Sequence, residues 1–265
     1  MVIHLADDTQ IPILYEDRAI LAIDKPPGWT LGPSAASWHH RHIQAALESS
    51  MHSGAFWARS RNLRFLRHLH RLDAPTSGIL LFAKTLGSIR PWSELFANQQ
   101  IRKTYLAVAL GIPEKKLWVR EDPLRPALDH SRQEVSHAGK PSKTEFQFLG
   151  SHNNLSLVIA RPHTGRTHQI RVHLLASGHP IVGDELYFDG ESPSPSPSEE
   201  FPLGLRAIEL ASQDPFTRRP IRIRASLEPF LKAFGFSSRA REIFPPPANR
   251  TIPPPRASGG ASQKT

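Results

Sequence analysis

Residues 70–84 of the chain read His70-Arg71-Leu72-Asp73-Ala74-Pro75-Thr76-Ser77-Gly78-Ile79-Leu80-Leu81-Phe82-Ala83-Lys84. Arg71 and Asp73 stand two positions apart, just before a turn in which Pro75 fixes its own φ and Gly78 permits unusual dihedrals. The apolar run 78–83 then predicts a buried strand. Two ionisable groups held rigidly beside a core strand suit a catalytic site. From these residues alone, a turn-capping Asp73 beside a solvated Arg71 is the favoured interpretation, because aspartate is common in turns.

The segments on either side predict an α+β fold. Apolar runs at 11–15 and 19–23 flank a polar turn and predict a β-hairpin. The segment 166–177 predicts a helix, with Thr164 as its N-cap and Gly178 as the residue after its end. Many short strands with few helices between them predict a mixed, mostly antiparallel sheet flanked by helices and loops.

The length and composition indicate one large domain. The chain has 265 residues, of which 39% are hydrophobic and 22% charged, as in globular proteins with a sizeable core. We expect a single catalytic domain at 1–236. Residues 237–265 contain two proline triplets and cannot build a core, so we expect a disordered, basic, proline-rich tail there.

Charge and cysteine usage narrow the class of partner. The chain carries 33 Lys+Arg against 24 Asp+Glu, which favours a polyanionic partner, with nucleic acid ahead of membrane. It has no cysteine, so disulfides, thiolate nucleophiles and cysteine-ligated zinc are excluded. Neither a signal-peptide pattern nor an apolar run of membrane-spanning length is found. We therefore expect a cytoplasmic protein without a membrane partner, and a monomer.

Basic residues are densest immediately before the opening stretch. The arginines between positions 59 and 71 alternate with apolar residues and are Arg59, Arg61, Arg64, Arg67 and Arg71. Such a segment could contact phosphates while its apolar residues anchor it.

Three separate features, together with flanking motifs, resemble one known family. They are the arginine–aspartate turn, a Lys-Thr-Tyr strand start and an arginine-bearing helix. The matching segments are His70-Arg71-Leu72-Asp73 with Thr76-Ser77-Gly78, then Lys103-Thr104-Tyr105, Thr164-Gly165-Arg166-Thr167-His168-Gln169-Ile170-Arg171-Val172-His173 and Gly178-His179-Pro180-Ile181-Val182-Gly183-Asp184. The early Lys25-Pro26-Pro27-Gly28 is also similar to the family's opening segment. In this order they resemble the RluA-type family of RNA pseudouridine synthases, over residues 11–227.

The resemblance implies a reaction and three catalytic residues. The reaction would be isomerisation of uridine to pseudouridine in ribosomal or transfer RNA, without metal or other cofactor. Asp73 would act at C1′ of the flipped nucleotide. Arg171 would keep that carboxylate charged, and Tyr105 would stack on the base and help remove the C5 proton.

The resemblance also implies RNA contacts. Arg71 would fill the gap left by the flipped nucleotide, because a planar guanidinium can stack on bases. His70, Lys103, Arg166 and His168 are the further candidate RNA-binding residues, with His70 expected to be mainly structural.

Two departures from the family pattern stand out. The catalytic pattern begins almost at the first residue, so we expect no N-terminal S4-type domain. The basic surface of the catalytic domain would then grip the substrate. In a late strand, Arg206 stands where the family often has histidine.

Two rival functions compete with this interpretation. A metal-dependent hydrolase is suggested by the histidines at 68, 70, 163, 168 and 173, but His168 and His173 are five apart instead of four and no glutamate accompanies them. A non-catalytic RNA-binding module would have no need of Asp73, Tyr105 and Arg171 together.

Overall fold

The computed structural model describes residues 1–31, 41–128, 132–188 and 200–237, together with Ile243. In chain order its elements are β1 (Val2–His4), β2 (Gln10–Glu16), β3 (Ile20–Lys25), β4 (Trp29–Thr30), β5 (Arg41–His42), α1 (Ile43–His52), α2 (Phe56–Arg59), β6 (Arg67–His68), β7 (Ser77–Ala83), α3 (Leu86–Ala97), β8 (Arg102–Leu110), β9 (Leu117–Arg120), β10 (Leu124–Pro126), β11 (Gln133–Val135), β12 (Thr144–His152), β13 (Leu155–Pro162), α4 (Gln169–Ala176), β14 (Leu205–Gln213), β15 (Pro220–Arg224) and α5 (Glu228–Ala233).

One large sheet forms the centre of the molecule. Its strand order in the described residues is β1-β2-β3-β7-β14-β8-β13-β12-β9, with β6 beside β7 and β15 beside β14. Antiparallel pairs dominate, whereas β7 and β14 run parallel. The predicted α+β class, the mixed sheet and the early hairpin, formed by β2 and β3, are therefore confirmed.

Strand β7 is buried along its whole length, as the apolar run predicted. Leu80 and Phe82 face a core cluster shared with α1 and α2. Ile79 and Leu81 face the opposite cluster, where Trp92 of α3 packs against them. Each fully buried aliphatic side chain contributes on the order of 1.5–3 kcal/mol, so the strand is anchored from both faces.

The other half of the sheet is covered in the same way. Leu106 and Val108 of β8 pack with Phe230 of α5 on one face. Ala107 packs with Ile170 of α4 on the other face. Helix α4 is thereby held against the sheet beside the start of β8.

The glycine at 78 is required by the parallel pairing. Gly78 has a φ of +109°, and a Cβ at this position would lie 2.1 Å from the carbonyl oxygen of Ala207 on β14. No side chain fits there, so the approach of β7 to β14 depends on glycine.

Arg206, the departure from the family pattern, lies in a buried ion pair. Its Nη2 is 2.5 Å from Asp24 Oδ2 on β3, and its Nη1 donates to Ser77 Oγ on β7 at 3.2 Å. Its Nε donates to the carbonyl oxygen of Ser226 at 3.0 Å. One arginine therefore connects β3, β7 and β14.

The remaining part of the domain prediction concerns residues 237–265. Only Ser237 and Ile243 of that predicted tail are described, so the prediction otherwise lies outside the described residues. Within the described ranges, no helix has the length and apolar character needed to cross a membrane.

Candidate active site

A cavity of about 410 Å³ lies between the Asp73 turn, the start of β8 and the segment that leads into α4. Its size falls in the range of small-molecule sites. All eight predicted site residues line it, namely His70, Arg71, Asp73, Lys103, Tyr105, Arg166, His168 and Arg171. Asp73 is the sole carboxylate among the described lining residues, so a single acid faces a strongly basic wall.

The turn that carries Asp73 is held by the early part of the chain. The N–H of Thr76 donates to the carbonyl oxygen of Asp73 at 3.1 Å, which closes the turn. The carbonyl oxygen of Ala74 accepts from the N–H of Gly28 at 2.8 Å and from Lys25 Nζ at 3.0 Å. The opening segment therefore fixes the direction in which Asp73 points.

Lys25 supports the Asp73 turn from below and was not singled out by the sequence. Its side chain is buried, and Nζ also donates to the carbonyl oxygens of Pro26 at 2.9 Å and Trp29 at 3.0 Å. Burial lowers the pKa of Lys25 to about 7, against the opposing effect of Asp73 and Asp24. Lys25 thus joins the loop at 26–29 to the turn at Ala74 through hydrogen bonds from its buried amine.

Two nitrogen groups face the Asp73 carboxylate, whose side chain is 17% exposed. Arg171 Nη1 lies 3.6 Å from Asp73 Oδ2. His168 Nε2 lies 3.9 Å from the same oxygen. The predicted approach of Arg171 to Asp73 is therefore found, with His168 as a second neighbour.

The principal partner of Arg171 is Asp184. Arg171 Nε and Nη2 donate to Asp184 Oδ2 and Oδ1 at 2.7 and 2.5 Å, in a buried bidentate pair. Burial alone would lower the pKa of Arg171, but the hydrogen bonds and charge of Asp184, together with Asp73, raise it. The guanidinium therefore stays charged and is locked in one orientation.

The start of α4 differs from the prediction. The helix begins at Gln169, and its N-cap is His168 in the left-handed region with φ of +54°, so the predicted start at 166 with a Thr164 cap is wrong. The reason is that the hydroxyl of Thr164 donates to Gln169 Oε1 at 2.7 Å instead of accepting from the helix backbone. The predicted glycine after the helix is confirmed, since Gly178 has φ of +80°.

Tyr105 and Lys103 come from neighbouring positions of β8. Burial, assisted by Asp73, raises the pKa of the Tyr105 phenol well above its ordinary value, so it is protonated at neutral pH. Lys103 Nζ donates to the carbonyl oxygen of Thr164 at 2.9 Å, and burial lowers its pKa to about 8. Lys103 thus joins β8 to the segment before α4.

Arg71 and Arg166 are exposed at the cavity rim, whereas His70 is fixed in the wall. His70 Nε2 accepts the N–H of Leu81 at 3.1 Å, and its ring stacks on Phe96 at 4.8 Å. Burial lowers the pKa of His70 to about 3, so its ring is neutral. These contacts agree with the structural role expected for it.

The histidines that suggested a metal site are engaged separately. His173 Nδ1 lies 2.9 Å from Thr144 Oγ1, and its Nε2 lies 3.0 Å from Ser142 Oγ. His163 pairs with Glu145 at 2.8 Å. Across the described ranges, no three histidine, aspartate or glutamate side chains are grouped so that they could hold a metal ion.

Comparisons with known proteins place this chain in one class. A family model described as RNA pseudouridylate synthase matches residues 19–176. Two solved human structures share the fold: RNA Pseudouridylate Synthase Domain Containing 4, with a TM-score of 0.66, and Domain Containing 1, with a TM-score of 0.59. Each is 24% identical and covers 85% of this chain, which in turn covers 92% and 94% of those chains.

Curated relatives are more similar in sequence. Ribosomal large subunit pseudouridine synthase D of Nitrosomonas europaea is 33% identical over 196 residues, 74% of this chain and 55% of that protein. Ribosomal large subunit pseudouridine synthase C of Vibrio vulnificus is 35% identical over 217 residues, 81% of this chain and 65% of that protein. The chain thus spans 55% to 65% of the length of these relatives.

The fold and the sequence matches define a pseudouridine synthase-type protein. Within that class, the chain belongs to the RluA-type family of RNA pseudouridine synthases.

Proposed function

We propose that this chain isomerises uridine to pseudouridine in RNA, with Asp73 as the catalytic carboxylate. The observation that carries the proposal is the solitary Asp73 carboxylate, 17% exposed, facing Arg171 in a basic cavity. Family membership supports the reaction class. Ribosomal RNA is the proposed substrate class, because the two curated relatives are named as ribosomal large subunit synthases.

The chemistry requires a carboxylate at the sugar. The bond between N1 of uracil and C1′ breaks, which develops positive charge on the ribose as in glycoside hydrolysis. Asp73 compensates this charge or bonds to C1′, while Arg171 favours the ionised carboxylate. The detached base turns, C5 bonds to C1′, C5 loses its proton and N1 gains one. Because the leaving group stays in the cavity, a second carboxylate is unnecessary.

Tyr105 is proposed to stack on the uracil ring. Its protonated phenol suits stacking and hydrogen-bond donation, so removal of the C5 proton by this group requires a proton acceptor beyond the phenol itself. The nucleotide must leave its stack to reach Asp73, which costs on the order of a few kcal/mol. Arg71, Arg166 and Lys103 supply the positive charge that attracts the RNA backbone.

The test is a modification assay on transcribed RNA. Wild-type protein and the Asp73→Ala and Asp73→Asn variants are incubated separately with large-subunit ribosomal RNA and with transfer RNA, and pseudouridine is mapped chemically. We expect wild type to modify ribosomal RNA and both variants to lose activity by on the order of 10⁴-fold. RNA affinity should be largely unchanged, because binding relies on the basic wall.

Asp8→Asn is the matched control, since Asp8 is exposed and does not line the cavity. Equal activity in Asp73→Asn and wild type would refute the mechanism. RNA binding without any pseudouridine from the wild-type protein would favour the non-catalytic binding module. Modification of transfer RNA alone would keep the reaction and overturn the substrate class.

A further inference from the structure

Tyr187 contacts both groups that face the Asp73 carboxylate, although it does not line the cavity. It is 5% exposed and follows α4 in the chain. The Arg171 guanidinium lies over its ring, 4.9 Å from the centroid. The ring of His168 meets it edge-on, with centroids 5.6 Å apart and an interplanar angle of 84°. The buried Tyr187 therefore packs against Arg171 and His168, the two residues whose nitrogens face the Asp73 carboxylate.

The hydroxyl of Tyr187 determines which nitrogen of His168 carries the proton. The hydroxyl oxygen accepts the N–H of Gln133 at 2.8 Å and lies 2.8 Å from His168 Nδ1. Within the described residues it has no other hydrogen-bond partner, so its proton is donated to Nδ1. The opposite tautomer would leave the buried hydroxyl proton without an acceptor, which is unfavourable. A neutral His168 consequently carries its proton on Nε2, the nitrogen 3.9 Å from Asp73 Oδ2.

The backbone of His168 agrees with a constrained role. Its φ of +54° lies in the left-handed region, which is unfavourable for non-glycine residues. Residues held in such conformations cluster at functional sites. Here the conformation directs the ring between Tyr187 and Asp73.

We propose that Tyr187 is a positioning residue for the reaction. Its hydroxyl fixes His168 as the Nε2–H tautomer, and its ring packs against the Arg171 guanidinium. His168 and Arg171 then both direct an N–H group toward Asp73. This inference rests on the proposed function. Burial lowers the pKa of His168, and Arg171 and Arg71 act in the same direction, while Asp73 and Asp184 oppose them. A lowered pKa keeps the ring neutral at physiological pH, the state in which its tautomer matters.

The first test measures the tautomer in RNA-free protein. Two-dimensional ¹⁵N NMR of histidine-labelled full-length protein distinguishes Nε2–H from Nδ1–H rings, and the His168→Asn variant assigns the His168 signals. We expect Nε2–H in wild type and a mixture of tautomers in Tyr187→Phe, which keeps the ring beneath Arg171. Tyr15→Phe is the matched control, because the Tyr15 hydroxyl bonds to Asp17 outside the cavity. An unchanged His168 tautomer in Tyr187→Phe would overturn the proposal.

The second test is a double-mutant cycle on activity. Leaving a buried group without its hydrogen bond is unfavourable, so we expect kcat to fall by roughly 10–100-fold for Tyr187→Phe with KM and RNA affinity retained. Because the hydroxyl acts through His168, Tyr187→Phe should add nothing to His168→Asn. Independent, multiplying effects would contradict the proposal. An inactive wild type would refute the proposed function, while the NMR measurement would still decide whether Tyr187 sets His168.

Discussion

At the scale of single residues, Arg71 is the candidate for filling the gap that a flipped nucleotide leaves. It is exposed at the cavity rim, two residues before Asp73, on a turn held by Lys25 and Gly28. A planar guanidinium at this place can stack in the gap that a flipped nucleotide leaves. Its contribution should therefore depend on whether the substrate is stacked beforehand.

We predict that Arg71→Ala slows the reaction on a structured RNA stem-loop more than on a flexible oligonucleotide containing the same target uridine. The reason is that unstacking costs a few kcal/mol only where stacking exists. Single-turnover rates on both RNAs measure the ratio. Arg71→Lys is the matched variant, which keeps the positive charge but lacks the planar guanidinium. We expect its ratio of rates on the two RNAs to resemble that of Arg71→Ala. Equal slowing on both RNAs would contradict a role in flipping.

The sequence predicted many, but not all, of the residues that form the candidate site. Asp73, Tyr105 and Arg171 belong to motifs whose residue order is visible in the sequence, and they meet in one cavity. Asp184 closes a quoted motif and Tyr187 follows it, yet neither could be given a role, because the sequence does not show which side chains they contact across the fold. A buried carboxylate or hydroxyl reveals its role only once its partner is known.

At the scale of secondary-structure elements, the junction of β3, β7 and β14 determines where the Asp73 turn sits. Arg206 and Asp24 pair there with side chains that are 5% and 14% exposed. Removing one partner of a buried ion pair leaves an uncompensated charge, which is strongly destabilising. The buried charge of Arg206 is thus balanced by Asp24.

We predict that Arg206→Ala lowers the free energy of unfolding by about 3–5 kcal/mol. Urea denaturation followed by circular dichroism measures the change. Arg90→Ala is the matched control, because the Arg90–Glu94 pair is 90% and 56% exposed, so that solvent screens it and its loss should barely change the free energy of unfolding. Similar losses of unfolding free energy in the two variants would contradict a larger stabilising contribution from the buried Arg206–Asp24 pair.

The elements themselves were predictable to different degrees. The apolar run in β7 and the β2–β3 hairpin follow from local patterns of burial and turns. The first turn of α4 could not be predicted, because Thr164 has the composition of an N-cap while its hydroxyl bonds to a glutamine side chain. Local propensity was overridden there by a competing hydrogen bond.

At the scale of the whole molecule, several histidines are kept neutral by burial. Burial lowers the pKa of His68, His70, His168 and His173, and for His70 the value is about 3. As the pH is lowered, the unfolded chain takes up protons at these rings near the ordinary pKa of 6.5, whereas the folded protein takes them up only at lower pH. The stabilisation of the folded state that goes with neutral histidines is therefore complete above pH 6.5. It is lost as the pH falls from 6.5 through the pKa values of the folded protein.

We predict that the free energy of unfolding decreases as pH falls from 6.5 toward 3. Each histidine kept neutral in the folded state contributes a slope of up to about 1.4 kcal/mol per pH unit. Denaturation midpoints across this range measure it. His70→Gln should flatten the slope, because glutamine does not titrate, while the exposed His4→Gln should leave it unchanged. An equal slope in wild type and His70→Gln would show that His70 does not titrate differently on folding.

The parallel pairing of β7 with β14 also has a consequence for how the chain acquires its shape during synthesis. Ser77 and Arg206 are 129 positions apart, so the loop between them must close before they can meet. At ~5–20 residues per second, a ribosome needs roughly 6–26 s to make that interval. Such long-range pairings form late and slowly. Until β14 emerges, the edge of β7 at Ser77 and Gly78 stays open to other strand partners, and the Asp73 turn lacks its final alignment. The alignment of the Asp73 turn should therefore be reached only after β14 has been synthesised.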